Sequence, residues 1–291
     1  QQSLAAESDR PVVDEFAPID SDIAPVPQAP VTQPAVGKGR LVKVETPVLE
    51  VWIDLLGGDI ARVQLPTYPI SLEQPDTPFL LMDRSASRTY IAQSALIGSD
   101  GIDKTGARPL YEAASDSLTL SEGGELVLTT TLDDARVSKI FAFEPESHLI
   151  NIRYEVVNLA TRSKTMRLLT QIKRDRLPPP TDETVPLAPS PYLGGALTTP
   201  DNNYEKVDFG DLDEGNFQAS AIGGWMAFLQ HYFLTAWVAP SDQATNYLAR
   251  KTSDGFYLFG FTGQNQSIQP GATGIWRADF YAGPKDQVVL E

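Results

Sequence analysis

The chain reads as an all-β protein, a large sandwich of antiparallel strands, on three observations. Apolar residues recur at every second position through most of its length. Clusters of Gly, Pro, Asn and Asp punctuate those runs at short intervals. No long helix-period pattern is legible outside one ambiguous aromatic segment. About sixteen short strands exceed the seven or nine of an immunoglobulin-like sandwich. The 291 residues and 42% hydrophobic content suffice for one large core, and all-β units commonly run to about 200–250 residues. Residues 40–291 are therefore assigned to a single domain.

Residues 1–39 read differently. Pro11, Pro18, Pro25, Pro27, Pro30 and Pro34 break the segment, and Glu7, Asp9, Asp14, Glu15, Asp20 and Asp22 outnumber Arg10 and Lys38. Scattered apolar residues cannot bury enough surface to offset the entropy of ordering, which predicts a disordered, extended, acidic linker. Proteolysis is expected to clip before Leu41 and leave a core reaching Pro284. Gln1-Gln2-Ser3 opens no signal-peptide pattern. No run approaches the roughly 18–20 apolar residues of a membrane span; Met226–Ala239 comes nearest and contains Gln230 and His231.

In the first strands, Leu49, Val51, Ile53 and Leu55 alternate with Glu50, Trp52 and Asp54. Gly57-Gly58 marks a turn, and Ala61, Val63 and Leu65 complete a hairpin. No dinucleotide or Walker pattern surrounds the glycine pair, so a turn is the reading. Pro66, Pro69, Pro75 and Pro78 predict an irregular stretch, and strands resume near Arg88–Gln93. The loop from Gly98 to Pro109 contains Asp100 and Asp103 but lacks calcium-loop spacing. Leu126–Leu132, Arg136–Phe143, Leu149–Asn158 and Thr165–Lys173 read as one antiparallel meander. In its third strand Ile150, Ile152, Tyr154 and Val156 share a dry face, while Asn151, Arg153 and Glu155 share a wet one. Arg162, Lys164, Arg167, Lys173, Arg174 and Arg176 concentrate positive charge, either as a docking patch or as a solvated face of two strands; the solvated face is the reading. Residues 175–191, with Pro178-Pro179-Pro180, read as a long loop. Asn246–Lys251, Phe256–Phe261 and Ile275–Ala282 continue as strands.

Composition narrows the chemistry. The chain has 23 Lys+Arg, 38 Asp+Glu and a net charge of −15, a surface that disfavours nucleic acid and anionic lipid. The absence of cysteine excludes disulfides, thiolate zinc sites and cysteine nucleophiles. The histidines, His148 and His231, fall at predicted turns, and no His-x-Glu, HExxH or GxSxG pattern accompanies them. The expectation is a protein with no catalytic residues, no metal and no cofactor.

Trp225, Phe228, Leu229, Tyr232, Phe233, Ala236 and Trp237 form the densest aromatic segment. Their spacing fits a helical stripe, but Gly223-Gly224 replaces a helix cap and the residue types suit strands, so the residues leave helix and hairpin open. This segment, GGWMAFLQHYFLTAWV (223–238), carries a resemblance. With TTPDNNYEKVDF (198–209), LVKVETPVLEVWIDLLGGDIARVQLPTYP (41–69), RPLYEAASDSLTL (108–120) and IQPGATGIWRADFYAGP (268–284), it resembles the large periplasmic domain of the YidC membrane-protein insertases of Gram-negative bacteria. The resemblance spans about Leu41 to Pro284 in collinear order.

That resemblance implies a twisted β super-sandwich similar to galactose mutarotases, with strands at Trp225–Leu229 and Phe233–Val238 about a turn at Gln230–Tyr232. It also implies a piece of a longer inner-membrane protein, lying on the periplasmic face between a first membrane helix and an insertase bundle. Its expected partners are the SecD–SecF accessory complex and the Sec translocon, with nascent membrane-protein segments as a further class. In the family, the region matching Leu187–Val238 is implicated in contacting SecD–SecF. Here the candidates are Tyr192, Asn202, Asn203, Tyr204, Glu205 and Lys206, followed by the loop of Asp208, Phe209, Asp211, Leu212, Asp213 and Glu214. The loop is expected to be exposed, because carboxylates are not buried unpaired, with Phe209 and Leu212 as apolar anchors. The competing function is a carbohydrate-binding or mutarotase-like sandwich.

Overall fold

The computed structural model describes residues 40–71, 73–103, 107–178 and 192–285; the predicted linker, and most of the predicted 175–191 loop, lie outside them. The strands are β1 (Leu41–Glu45), β2 (Glu50–Asp54), β3 (Asp59–Ser71), β4 (Gln74–Arg84), β5 (Thr89–Ile97), β6 (Glu112–Ala113), β7 (Ser117–Thr119), β8 (Gly124–Leu132), β9 (Ala135–Phe143), β10 (Leu149–Asn158) and β11 (Lys164–Arg174). After residue 191 come β12 (Gly194–Thr199), β13 (Asn202–Val207), a short helix α1 (Phe209–Glu214), β14 (Phe217–Ile222), β15 (Trp225–Leu229), β16 (Phe233–Val238), β17 (Ala244–Lys251), β18 (Tyr257–Thr262), β19 (Gln266–Ile268) and β20 (Thr273–Pro284).

They form two layers. One sheet has eleven strands, in the order β14-β17-β18-β11-β5-β4-β3-β2-β1-β7, with β19 also on β11. The other has nine, β13-β12-β15-β16-β20-β10-β9-β8-β6. Among the described pairings only β1–β7 is parallel. The predicted all-β super-sandwich is thus the observed fold, and the aromatic segment is the hairpin β15–β16, joined from Trp225↔Val238 to Leu229↔Leu234.

Alternation accounts for the layering. Ile150, Ile152, Tyr154 and Val156 of β10 are all buried, while the residues between them are exposed or half-buried. On β15 and β16, Met226, Phe228, Phe233 and Trp237 face the main core, whereas Ala227, Leu229, Leu234 and Ala236 form a second cluster with Tyr281 on the outer face. Phe228 meets Phe259 of the opposite sheet edge-on at 5.5 Å, and Trp237 meets Phe280 at 4.9 Å. Gly195 makes this approach possible, since a Cβ there would fall 2.0 Å from the Phe259 ring. Trp225, by contrast, is half-buried on the outer face.

Three local expectations are corrected. The proline-rich stretch is strand: β3 and β4 run through Pro66, Pro69, Pro75 and Pro78, with register shifts beside Pro69 that absorb the missing donors. The meander divides, because β11 leaves β10 and pairs with β5 and β18 in the other sheet; β10 pairs instead with β20. The basic cluster is a solvated face only in part: Arg162 and Arg176 are exposed and Arg167 is half-buried. Lys164, Lys173 and Arg174 are buried, because β11 is an interior strand covered on both sides.

Candidate interaction surface

The sequence-predicted contact residues gather at one edge of the nine-stranded sheet, on β13 and α1, with Tyr192 just before β12 and Asp208 at the cap of α1. β13 is its terminal strand. Asn202, Asn203, Tyr204 and Lys206 are exposed and Glu205 is half-buried. The pairing with β12 shifts register between Leu197 and Thr199, and Tyr204 takes φ 61°, in the left-handed region unusual for a residue with a side chain. That geometry leaves the tyrosine 51% exposed. Asn202 Nδ2 donates to Glu205 at 2.7 Å across the bulge. Tyr192 lies beneath this strand: its hydroxyl donates to Gly195 O at 2.8 Å, and Lys206 Nζ sits 4.8 Å from its ring centre. Burial pushes the Tyr192 phenol up to about 12, with Asp208, Tyr204 and Asp211 adding to the effect.

The acidic stretch is an ordered helical turn, which corrects the expected loop. Asp208 caps α1, accepting from the backbone N–H groups of Gly210 and Asp211, while the Asp211 carboxylate accepts from the Asp208 N–H. Phe209 and Leu212 then fall on one helix face and are buried, at 5% and 4% exposure. Phe209 packs 4.3 Å from the Tyr257 ring and 5.5 Å from Phe228. They anchor the helix to its own core and are not available as exposed anchors. Asp208, Asp211, Asp213 and Glu214 are exposed. Asp213 fastens the helix to the first sheet: Lys251 Nζ lies 2.7 Å away, the Tyr257 hydroxyl 2.7 Å and Arg176 Nη1 3.1 Å. Hydrogen bonds from Lys251 and Tyr257 hold its carboxyl down to about 2.

The histidines lie on separate features. His148 is half-buried between Tyr68 and Tyr281, its ring centre 6.3 and 6.2 Å from theirs, and burial lowers its pKa. It borders an open depression of about 670 Å³ together with Glu122, Glu144 and Glu146. His231 is exposed on the β15–β16 turn, edge-on to Tyr232. Among the described residues, no group of three or more His, Asp or Glu side chains could hold a metal ion.

Sequence reasoning missed a charged cluster between the layers. Arg108 donates through Nη1 to Asp59 at 2.6 Å, through Nε to Asp103 at 3.0 Å, and through Nη2 to the carbonyls of Gly57 and Ser94. From the opposite sheet, Lys139 on β9 donates to Gly57 O at 2.9 Å and Ser94 O at 3.3 Å. Asp54 beside them takes Arg40 and Arg84, each within 2.7 Å. Burial opposes the Asp59 charge, yet Arg108, Lys139 and Arg84 outweigh it and hold its pKa below the usual range. At Asp103 burial wins and raises the pKa. Burial drives Lys139 down to about 7 despite the pull of Asp59. One signal was present: Val137, Lys139 and Phe141 share a face of β9, so the period placed this lysine on the dry side.

The geometry can be set beside known proteins. A family described as the YidC periplasmic domain matches residues 41–291. The membrane protein insertase YidC of Cellvibrio japonicus is 42% identical over 258 residues, covering 87% of this chain and 46% of that protein. That of Azotobacter vinelandii is 38% identical over 301 residues, covering all of this chain and 54% of that protein. The chain thus spans about half the length of these curated relatives. Among solved structures, a galactose mutarotase related enzyme from Lactobacillus acidophilus superimposes with a TM-score of 0.52 at 11% identity, over 83% of this chain and 97% of that one. A galactose mutarotase-like protein from Lactobacillus casei gives 0.53 at 10%, over 84% and 99%. At such identities the likeness is one of fold, and sites do not travel with folds.

Proposed function

This chain belongs to the YidC periplasmic-domain family, and from that premise we propose that it is a non-catalytic interaction and scaffold domain of a membrane-protein insertase. It works at the periplasmic face of the bacterial inner membrane, assisting insertion and folding of membrane proteins. Its partners are the SecD–SecF accessory complex, the Sec translocon and nascent membrane-protein segments. Contact with the accessory complex runs through Tyr192, the exposed residues of β13 and the solvent face of α1. The observation that carries this reading is the strained, exposed Tyr204 beside Lys206 on an edge strand. Non-glycine residues in left-handed backbone gather at functional sites, where the surroundings hold them in place. The helix beside it is capped, buried along one face and ion-paired, so the surface is presented rigidly and little order has to be gained on binding.

The test uses Tyr204→Gly combined with Lys206→Glu. Glycine relaxes the left-handed backbone, and the charge reversal removes the cation over Tyr192. Co-purification with SecD–SecF is expected to fall while the thermal melt is unchanged. Undiminished capture by the folded double variant, across a range of salt, would remove this surface from the interface.

A further inference from the structure

An edge strand offers unpaired backbone N–H and C=O groups to any extended chain unless something blunts it. The two sheet paths end in β7, β6, β13 and β14. β6 and β7 are very short, with 2 and 3 residues. β13 is kinked by its register shift and by Tyr204, and carries Glu205 and Lys206. β14 has none of these devices. Its sequence is Phe217-Gln218-Ala219-Ser220-Ala221-Ile222, without charge or proline. It pairs with β17 in unbroken register from Phe217↔Ala249 to Ile222↔Ala244. Among the described residues no strand occupies its other side.

We propose that β14 accepts an extended, uncharged segment of an unfolded polypeptide as an added strand of the eleven-stranded sheet. The side chains define the occupant. Phe217, Ala219 and Ala221 point inward and are half-buried against the main core, while Gln218, Ser220 and Ile222 are exposed, Ile222 at 59%. A strand bringing large apolar residues to alternate positions would finish covering the inward row. Neither β14 nor the facing stretch from Ala244 to Ala249 holds a charged residue, so a charge on the occupant's inward row would lose hydration and meet no counter-charge. A second copy of this chain fits less well, since its own small alanines would leave the row uncovered. Main-chain hydrogen bonds supply the affinity and the alternate side chains the selectivity. This inference stands apart from the β13 surface and does not depend on it.

The probe is a short capped peptide alternating valine with threonine and glutamine. Hydrogen exchange of the full chain should show amides of β14 slowed at least about tenfold by saturating peptide, with β13 unaffected. Gln218→Lys with Ile222→Lys should weaken binding at least about tenfold at an unchanged melt, while Asn203→Lys on β13 should not. Methylating the peptide amides along one edge should abolish binding and along the other should not, a result that leaves the protein untouched. Protection elsewhere, indifference to the lysine pair, or equal tolerance of both methylated peptides would overturn the proposal. Self-association through β14 that the peptide cannot displace would overturn the occupant in favour of a second copy.

Discussion

The two sheets meet through charge in one region and through aromatic rings in another, and β5 takes part in both. Its Gln93 side chain and Ser94 carbonyl reach the charged cluster, Gln93 donating to Asp59 at 3.0 Å and Ser94 O accepting from Arg108 and Lys139. Its Tyr90 faces the rings, 5.8 Å from Phe228, with its hydroxyl 2.7 Å from Thr235 of the opposite sheet. Even the ring region takes in a cation: the Arg174 guanidinium stands 4.1 Å from Phe228 and 4.4 Å from Tyr90, and donates to the carbonyls of Asp175 and Leu177. The regions differ in how they fail. An apolar contact is lost in proportion to the atoms removed. A buried ion cluster holds only while every charge has its partner, because a stranded charge keeps its full desolvation cost.

The sharpest break is Arg108→Ala, which strands Asp59 and Asp103 together. Equilibrium denaturation should show a loss of about 3–5 kcal/mol; a loss under about 1 kcal/mol would mean the cluster is wet or relaxes freely. Next comes the pH response of Lys139. The unfolded chain holds that proton up to about pH 10.4, whereas the folded chain releases it near 7. Between those values the unfolded state binds the extra proton, so this residue makes stability rise with pH. Comparing the two proteins between about pH 7 and 9, wild type should gain about 2 kcal/mol over Lys139→Met. Parallel pH profiles would show that Lys139 titrates as an ordinary lysine. The smallest effect is expected in the ring region. Phe228→Leu keeps most of the apolar volume and should cost about 1 kcal/mol in the same denaturation experiment, with no dependence on pH. A loss matching that of Arg108→Ala would erase the distinction between the regions.

Legibility followed the same division. Period-two patterning identified the faces of β10, and turn residues bounded β8 and β9, because those are local properties. The β15–β16 hairpin was open on residue grounds, since a helical stripe and two adjacent strands place aromatics alike; collinear resemblance decided it. α1 has its own local signal, a capping box of Asp208 and Asp211 with Phe209 and Leu212 on one helical face, but the surrounding carboxylates favour a solvated loop on residue grounds. β11 is legible as a strand, but its basic residues point to water, while its interior position in the sheet is set by β5 and β18, far away in sequence. Asp59, Asp103, Arg108 and Lys139 come from three separate stretches, and no local pattern announces that the fold brings them together.

The position of the last strand has a consequence for how the domain is made. β20 lies inside the nine-stranded sheet, between β16 and β10, bonded to both along much of its length. During synthesis, the β13-β12-β15-β16 half and the β10-β9-β8-β6 half cannot be joined until residues 273–284 are available. Each half meanwhile carries an open edge, and its share of the core lacks Trp276, Ala278, Phe280 and Ala282. Strands that close over such sequence distances form late and slowly. The chain therefore depends, for most of its translation, on a strand that does not yet exist, and a ribosome stopping short of Thr273 would release two half-sheets with no seam between them.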